Sequence, residues 1–421
     1  MGVGCAGRVV GTKSGAMPDI TPLKNNAQSL KILHVIPSIA ARYGGPSQAV
    51  YSTCRSLLAE GAEILIATTN ADGESALPVV LEQKITYQGV TTIFFDRQFS
   101  EALKYSRPLA GWLGRHVRDF GLVHIHAVFS HACIAAANAC RKNNIPYIVR
   151  PLGTLDPWSL KQKQLRKRLL WHFGVKQMLR CAAAIHYTTA EEKRLVESEL
   201  GLMNGVVIPN GIDLDQAAQQ EAASSPGLQL LPVGAPYILA LSRIHPKKGY
   251  ELLIESFGAL KRQGTFSDWH LIFAGDGDAV YVDQLKKLAE SNGLNGDVRF
   301  VGWLEGERKF QALKASALLA LPSYQENFGI SLVEAMACGV PVLVSPQVNL
   351  APEIATAGAG WVTPSNPQTL TETLKEALGN EQERHRRGHN GRKLANRFSD
   401  KTVAAELIRL YQSLLNRADQ N

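Results

Sequence analysis

Ala317-Leu-Leu-Ala-Leu-Pro-Ser-Tyr-Gln-Glu326-Asn-Phe-Gly-Ile-Ser-Leu-Val-Glu334-Ala-Met-Ala-Cys-Gly-Val-Pro341-Val-Leu-Val344 reads as strand, loop, short helix, strand. Its two apolar runs are short, do not alternate with polar residues, and are set off by Pro322-Ser323 and Gly339-Val-Pro341. Strands that are apolar on both faces belong to parallel sheets covered by helices. Between the runs stand two glutamates, Glu326 and Glu334, with seven residues between them. Phe328, Gly329 and Ile330 lie inside that interval, where the loop becomes a helix. The backbone N–H groups of a helix start form a ready anion site. Carboxylates beside an anion site suit hydroxyls better than the anion itself. A ligand carrying both phosphate and sugar hydroxyls would satisfy both. Two acids at this spacing can also simply favour a helix start, so the rest of the chain decides.

Working outward, the same pattern repeats along the chain. Ile32–Ile36, Ile64–Ala67, Thr92–Phe95, Leu122–His126, Tyr147–Val149, Ala183–His186 and Val206–Ile208 read as one series of buried parallel strands. A second series comprises Tyr237–Leu241, His270–Phe273, Val298–Val301, Leu318–Leu321, Val342–Val344 and Gly360–Val362. A Gln/Ala/Ser/Pro/Gly stretch separates them and suits a linker. The expected organisation is an extension without order over 1–28, an α/β domain over 29–213, a linker over 214–235, a second α/β domain over 236–399, and a helix over 400–421. Two sheets of this class bind ligands beyond their strand C-termini, so the site is expected in the cleft between them. Near the N-terminus, Gly2-Val-Gly-Cys-Ala-Gly7 imitates a dinucleotide motif, but no strand precedes it.

Size and composition narrow the choices. A chain of 421 residues with 45% hydrophobic content supports two cores. No apolar run reaches the length of a membrane span, and the N-terminus lacks a signal peptide's apolar core. Six scattered cysteines without a Cys-x-x-Cys pair suit a reducing cytoplasm and argue against a zinc site or disulfide framework. The net charge of +8 is uneven: residues 29–205 hold 21 basic and 13 acidic side chains, whereas 206–421 hold 21 and 23. A basic first half suggests an anionic partner. Within it, Lys161–Arg180 carries seven basic residues and no acid, with Leu165, Leu169, His172, Phe173 and Lys176 at helical spacing. Such a helix either lies on an anionic membrane surface or packs its apolar face on its own domain. No recognition motif supports nucleic acid.

Several short segments follow strand ends. Arg243 and Lys248, in Ser242-Arg-Ile-His-Pro-Lys-Lys248-Gly249, leave the first strand of the second domain, where two cations would hold a diphosphate. The bland reading, a solvated basic turn, yields once the Glu326–Glu334 loop is set beside it. Tyr43-Gly44-Gly45-Pro46 follows the first strand, and glycines there let backbone approach a ligand closely. His126 ends a strand and is expected to face the cleft. His124, deeper on the same side, reads as a core histidine. Asp213-Leu-Asp215 and Asp276-Gly-Asp278 mimic metal-binding pairs, but neither has a third oxygen ligand nearby, so no metal is expected.

Taken together, Tyr43–Pro46, His124-Ile-His126, Arg150-Pro-Leu-Gly-Thr-Leu-Asp-Pro-Trp158, Ile208-Pro-Asn-Gly-Ile-Asp213, Arg243 through Gly249, Gly275-Asp-Gly277, Phe300-Val-Gly302 and Glu326 through Glu334 resemble the family 4 glycosyltransferases, retaining enzymes of the GT-B fold. The resemblance implies two Rossmann-like domains facing across a cleft, with a C-terminal helix crossing back to the first. It implies transfer of a sugar from a nucleoside-diphosphate sugar to an acceptor hydroxyl, with no metal or other cofactor. Arg243 and Lys248 would grip the donor diphosphate and Glu334 the ribose. Glu326 would hold sugar hydroxyls, with Phe328, Gly329 and Ile330 presenting N–H groups. Gly45, Gly275 and Gly302 would line the donor site, and His126 would face the sugar. The acceptor expected from this is a glycan or lipid-linked glycan, made in the cytoplasm or at the inner face of the cytoplasmic membrane, in lipid-linked glycan or surface polysaccharide synthesis. A sugar-nucleotide epimerase of the same architecture and a non-catalytic nucleotide-sugar-binding protein are the alternatives.

Overall fold

The computed structural model describes residues 30–162, 164–219 and 234–418. The expected extension over 1–28 and most of the expected linker, 220–233, lie outside them; Leu214–Gln219 at the linker's start is helical.

The first half supplies β1 (Lys31–Ser38), β2 (Glu63–Thr69), β3 (Ala71–Asp72), β4 (Ser75–Ala76), β5 (Lys84–Tyr87), β6 (Val90–Phe95), β7 (Leu122–His126), β8 (Tyr147–Arg150), β9 (Ala184–Tyr187) and β10 (Gly205–Val207). Eight of these form one sheet in the order β10-β9-β8-β7-β1-β2-β6-β5. Every pairing in it is parallel except the β5–β6 hairpin at the edge. The second half supplies β11 (Tyr237–Leu241), β12 (His270–Ala274), β13 (Val298–Phe300), β14 (Leu318–Leu321), β15 (Val342–Val344) and β16 (Gly360–Val362). They form a parallel sheet in the order β13-β12-β11-β14-β15-β16. The central strands β11 and β14 are buried at every position, as their unbroken apolar runs require.

Each sheet reverses its winding once. In the second, β11 leads outward to β12 and β13 on one side, while β14 to β16 build the other. In the first, β1 leads to β2 and β6, while β7 to β10 build the other side. Ligands of open α/β sheets bind at such a reversal, beyond the strand C-termini. The reversals therefore select the loops after β1 and β7 in one domain and after β11 and β14 in the other.

The last helix, Asp400–Ala418, crosses back to the first sheet as expected. Val403, Ala404, Leu407, Tyr411 and Leu414 recur on one helical face and are buried with Ile32, Val50 and Leu57. Burial of a side chain such as Leu407 is worth about 1.5–3 kcal/mol. The crossing point is tied to the end of the first domain by two backbone bonds. Ile212 N–H donates to the Phe398 carbonyl at 2.8 Å, and Asp400 N–H to the Ile212 carbonyl at 2.9 Å.

Lys161–Arg180 departs from the single helix its spacing suggests. It forms a helix over Gln164–Leu170, a π-type turn over Trp171–Val175 and a helix over Lys176–Arg180, with extended backbone at Gly174 breaking the run. Leu170 and Trp171 pack on the domain core, whereas Leu165, Leu169 and Phe173 are 80%, 60% and 79% exposed. Those three residues therefore do not pack on their own domain. No helix among the described residues is long and apolar enough to cross a membrane.

Candidate functional site

The loop after β14 carries Glu326 and is held on both sides by backbone. Tyr324 N–H donates to the Lys247 carbonyl at 2.7 Å, Glu326 N–H to the Gln347 carbonyl at 3.1 Å, and Asn349 N–H to the Glu326 carbonyl at 2.9 Å. The loop thus lies between the loop after β11 and the one after β15. Gly329, at φ +78°, ends it and caps the helix Ile330–Ala337. A left-handed φ suits glycine there, and the first N–H groups of the helix that follows have no partner within the helix.

The charged residues at the reversal meet in pairs. Lys248 Nζ forms an ion pair with the Glu326 carboxylate. Burial would raise the Glu326 pKa, but Lys248, Lys247 and the Phe328 N–H outweigh it and hold the carboxyl below its ordinary value. Lys247 is itself pushed down, chiefly by burial, with Glu326 opposing. One turn into the helix, the Glu334 carboxylate pairs with Lys309 Nζ at 2.6 Å. Arg243 is exposed at the mouth.

The first domain closes over these groups. A Cβ added at Gly44, itself at φ +73°, would lie 3.3 Å from Arg243 Cδ and Nε, and one at Gly45 would lie 3.3 Å from Ile330 Cδ1. The turn after β1 therefore faces both the cation and the helix start. Gly275, after β12, sits on the Arg243 loop so closely that a Cβ would come 1.9 Å from the Ser242 carbonyl oxygen. Gly275 N–H donates to the Gly302 carbonyl at 2.8 Å, which places Gly302 one strand further out. Arg243, Lys248, Glu326, Gly329, Ile330, Gly45 and Gly275 thus converge. Phe328 contributes only backbone: its ring is buried and packs edge-on against Phe398, with centroids 5.7 Å apart.

His126 corrects the sequence expectation. It is at the C-terminal end of β7 but fully buried, not facing an open cleft. Its Nε2 lies 2.9 Å from His34 Nδ1 on β1, and the two rings stack. His124 Nδ1 meets the Tyr411 hydroxyl at 2.8 Å, and its Nε2 lies 3.3 Å from His186 Nδ1. His186 Nε2 reaches the Ile208 carbonyl at 2.7 Å. The physical reason is that the returning C-terminal helix covers this face of the sheet. Burial, with the Arg150 cation adding to it, pushes His34 and His186 down to about 3. His124 and His126 are pushed well below the ordinary value, mainly by burial. His34, His124 and His126 come close enough to suggest a metal triad. His34 Nδ1 and His126 Nε2 engage each other and His124 engages Tyr411 and His186, whereas His34 Nε2 and His126 Nδ1 are buried without a partner. With the Arg150 cation nearby and every ring pushed toward its neutral form, the group reads as a neutral polar core. One aspartate of each Asp-x-Asp pair caps a helix. Asp278 accepts from Tyr281 N–H at 3.1 Å, and Asp213 from Gln216 N–H at 2.9 Å.

Several residues were given no individual role by the sequence, although Arg150 and Asp156 lie in the Arg150–Trp158 segment quoted above. Asp156, after β8, is buried and accepts a hydrogen bond from Gln325 Nε2 at 2.8 Å, joining the two domains beside Glu326. Burial, reinforced by Glu192, raises its pKa to about 7 against the Gln325 bond. Asn327 Nδ2 donates to Thr188 Oγ1 at 3.0 Å in a second cross-domain bond. Glu192 is fully buried and accepts from the N–H groups of Gly153 (2.9 Å) and Thr188 (2.8 Å). Arg150 is buried at the end of β8 and bonds the Asn210 side chain. A charge ending an apolar strand was the available signal for Arg150. Glu192, in Glu191-Glu-Lys-Arg194, looks like solvated helix surface and gave none.

Comparison with known proteins matches two family profiles in succession. Residues 43–216 match "Glycosyltransferase Family 4" and residues 228–394 match "Glycosyl transferases group 1". The chain is 25% identical over 407 residues to a D-inositol 3-phosphate glycosyltransferase of Jonesia denitrificans, covering 88% of this chain and 91% of the relative. It is 29% identical over 218 residues to a phosphatidyl-myo-inositol mannosyltransferase of Mycobacterium tuberculosis, covering 50% and 54%. Among solved structures, Anabaena Alr3699/HepE in complex with UDP-glucose superposes with a TM-score of 0.72 at 22% identity, covering 91% of this chain and 99% of that one. Sucrose-phosphate synthase from Thermosynechococcus elongatus superposes with a TM-score of 0.73 at 19% identity, covering 92% and 100%.

Proposed function

Because this chain belongs to the group 1 glycosyltransferases, with a family 4 first half and the GT-B fold, we propose that it moves a sugar from a nucleoside-diphosphate sugar to an acceptor hydroxyl with retention of the anomeric configuration. The observation that carries this is the junction of Arg243, the Lys248–Glu326 pair and the Gly44–Gly45 turn at the two facing winding reversals. The HepE structure holds UDP-glucose in the same fold, which supports a nucleotide sugar as donor.

Arg243 and Lys248 bind the diphosphate and neutralise the charge that grows on it as the glycosidic bond breaks. Glu326 orients Lys248 and presents its carboxylate to sugar hydroxyls. Glu334, oriented by Lys309, accepts from the ribose hydroxyls. The acceptor hydroxyl attacks the anomeric carbon from the face the diphosphate leaves, and the departing oxygen takes its proton. This route asks the protein for position and fixed charge rather than a general base. With two cations committed to the diphosphate, the reading requires no metal.

For the acceptor, the exposed stripe of Leu165, Leu169 and Phe173 lies among the exposed cations Lys161, Arg168, Lys176 and Arg180. Apolar side chains flanked by cations suit peripheral attachment to an anionic lipid surface. That supports a glycan carried on a lipid, used in lipid-linked glycan or surface polysaccharide synthesis at the cytoplasmic face. The test is product analysis. Incubation with the preferred donor and a lipid extract should give a glycoside with the donor's anomeric configuration by proton NMR, undiminished by EDTA. An inverted product or abolition by EDTA would refute the corresponding step.

A further inference from the structure

Beside the donor groups lies a cavity of about 460 Å³ that the reaction as described does not use. Its walls come from both domains: Trp158 from the first, and Lys247, Glu251, Glu255 and Tyr324 from the second. The size falls in the ~300–1,000 Å³ range of small-molecule sites. It adjoins the centre, since Lys247 precedes Lys248 and Tyr324 stands two residues before Glu326. Between cavity and centre runs the bridge from Lys247 Nζ to Gln325 Oε1 (3.5 Å) and from Gln325 Nε2 to Asp156 Oδ2 (2.8 Å). The same bridge fixes the spacing of the two walls, so the cavity is formed by the closed arrangement of the domains.

The lining has a specific chemistry. Trp158 and Tyr324 are 40% and 42% exposed, large aromatic surfaces left toward the cavity by both domains. Glu251 accepts the Tyr281 hydroxyl at 2.6 Å on Oε1, and its Oε2 is buried behind the lining without a partner. Pro246 and Leu252 complete the lining, and an apolar ligand would cover the polar groups of Glu251, Glu255 and Lys247 without giving them new hydrogen bonds, which is costly. An anionic ligand would meet two carboxylates. A pyranose ring offers C–H faces for aromatic surfaces and hydroxyls that donate to carboxylates and accept from an ammonium.

The geometry points to this cavity as a binding subsite for a neutral sugar ring of the acceptor, at least one unit away from the hydroxyl that is glycosylated. The enzyme thus takes an acceptor that already bears a sugar. This rests on the transferase reading above. It also fits the chain's layout: the basic segment starts at Lys161, three residues after Trp158, so a glycan on a lipid held there would emerge beside the cavity.

The test uses the full chain, with glucose and mannose oligosaccharides of one to four units as probes in saturation-transfer NMR, and UDP, GDP and ADP binding measured in parallel. The wild type should transfer saturation to ring protons of at least one oligosaccharide. Trp158→Ala should weaken that binding at least tenfold and Trp158→Phe much less, both with melting temperatures like the wild type. Tyr324→Ala provides a second wall should Trp158→Ala fail to fold. Nucleoside diphosphate binding with no oligosaccharide bound, or oligosaccharide binding indifferent to both alanine variants, would overturn the subsite while leaving the transferase reading intact. Oligosaccharide binding that Trp158→Ala abolishes, with no nucleoside diphosphate bound, would support the subsite and overturn that reading instead.

Discussion

Lys248 Nζ and the Glu326 carboxylate form an ion pair across 78 residues of sequence, joining the loops that follow β11 and β14. Lys248 is 5% exposed and the Glu326 side chain 15%, so each charge has little access to water if the other is removed. Lys248→Met should lower kcat/KM by about 10²–10³, the cost of losing one fixed charge at a developing anion. It should also destabilise the protein by about 3 kcal/mol, because the glutamate is left buried and unpaired. Combining it with Glu326→Gln should restore most of the stability and none of the activity. Denaturant titrations of the two single variants and the double variant check this.

Asp156 gives the closed arrangement a pH dependence. Its carboxyl is raised from an ordinary 3.8 to about 7 by burial, so the folded state holds its proton more tightly than the unfolded chain. Between those values the unfolded chain binds fewer protons, and stability falls as pH rises. The loss begins near pH 4 and is complete above pH 7. At ~1.4 kcal/mol per pH unit it amounts to at most about 4 kcal/mol. Asp156→Asn should flatten this part of the profile, read as melting temperature from pH 5 to 8. An unchanged profile would mean the carboxyl is already ionised across that range.

Tyr411 anchors the returning helix through His124 Nδ1 at 2.8 Å. Tyr411→Phe keeps the ring and strands a buried imidazole nitrogen, which should cost about 1–3 kcal/mol. Chemical denaturation measures it. No loss of stability would mean the hydroxyl is not what seats this helix.

The exposed stripe on the basic segment should act only on anionic lipid. The wild type should sediment with vesicles containing phosphatidylglycerol and remain in solution with pure phosphatidylcholine, and high salt should release it. Leu165→Asp with Phe173→Asp should abolish sedimentation while leaving the melting temperature unchanged, since both side chains already face solvent. Equal sedimentation of the double variant would remove these residues from the contact.

Much of this was legible because short apolar runs declare buried parallel strands, and every run read as a strand is one. The β5–β6 hairpin was not, since Lys84-Ile-Thr-Tyr87 is a half-exposed edge strand without an apolar run. Loop placement followed from strand order, and that order depends on which runs pair, which the sequence does not state. Alternation put His124 and His126 on one face, but the cover over that face, Tyr411, lies 287 residues from His124. Asp156 and Glu192 escaped for the same reason: Gln325 and Gly153, which give them meaning, are far away in the chain. Lys309, which orients Glu334, stands on a helix that reads as charged surface.

The most direct measurement is release of nucleoside diphosphate from a panel of UDP-, GDP- and ADP-sugars by the wild type and by Arg243→Ala. Arg243 is exposed at the mouth, so its loss should spare the fold. Release from one donor is expected, increased by a lipid extract, with a fall of at least about a hundredfold in the variant. Release that Arg243→Ala leaves unchanged, or saturable donor binding with no release under any condition, would contradict the transferase reading.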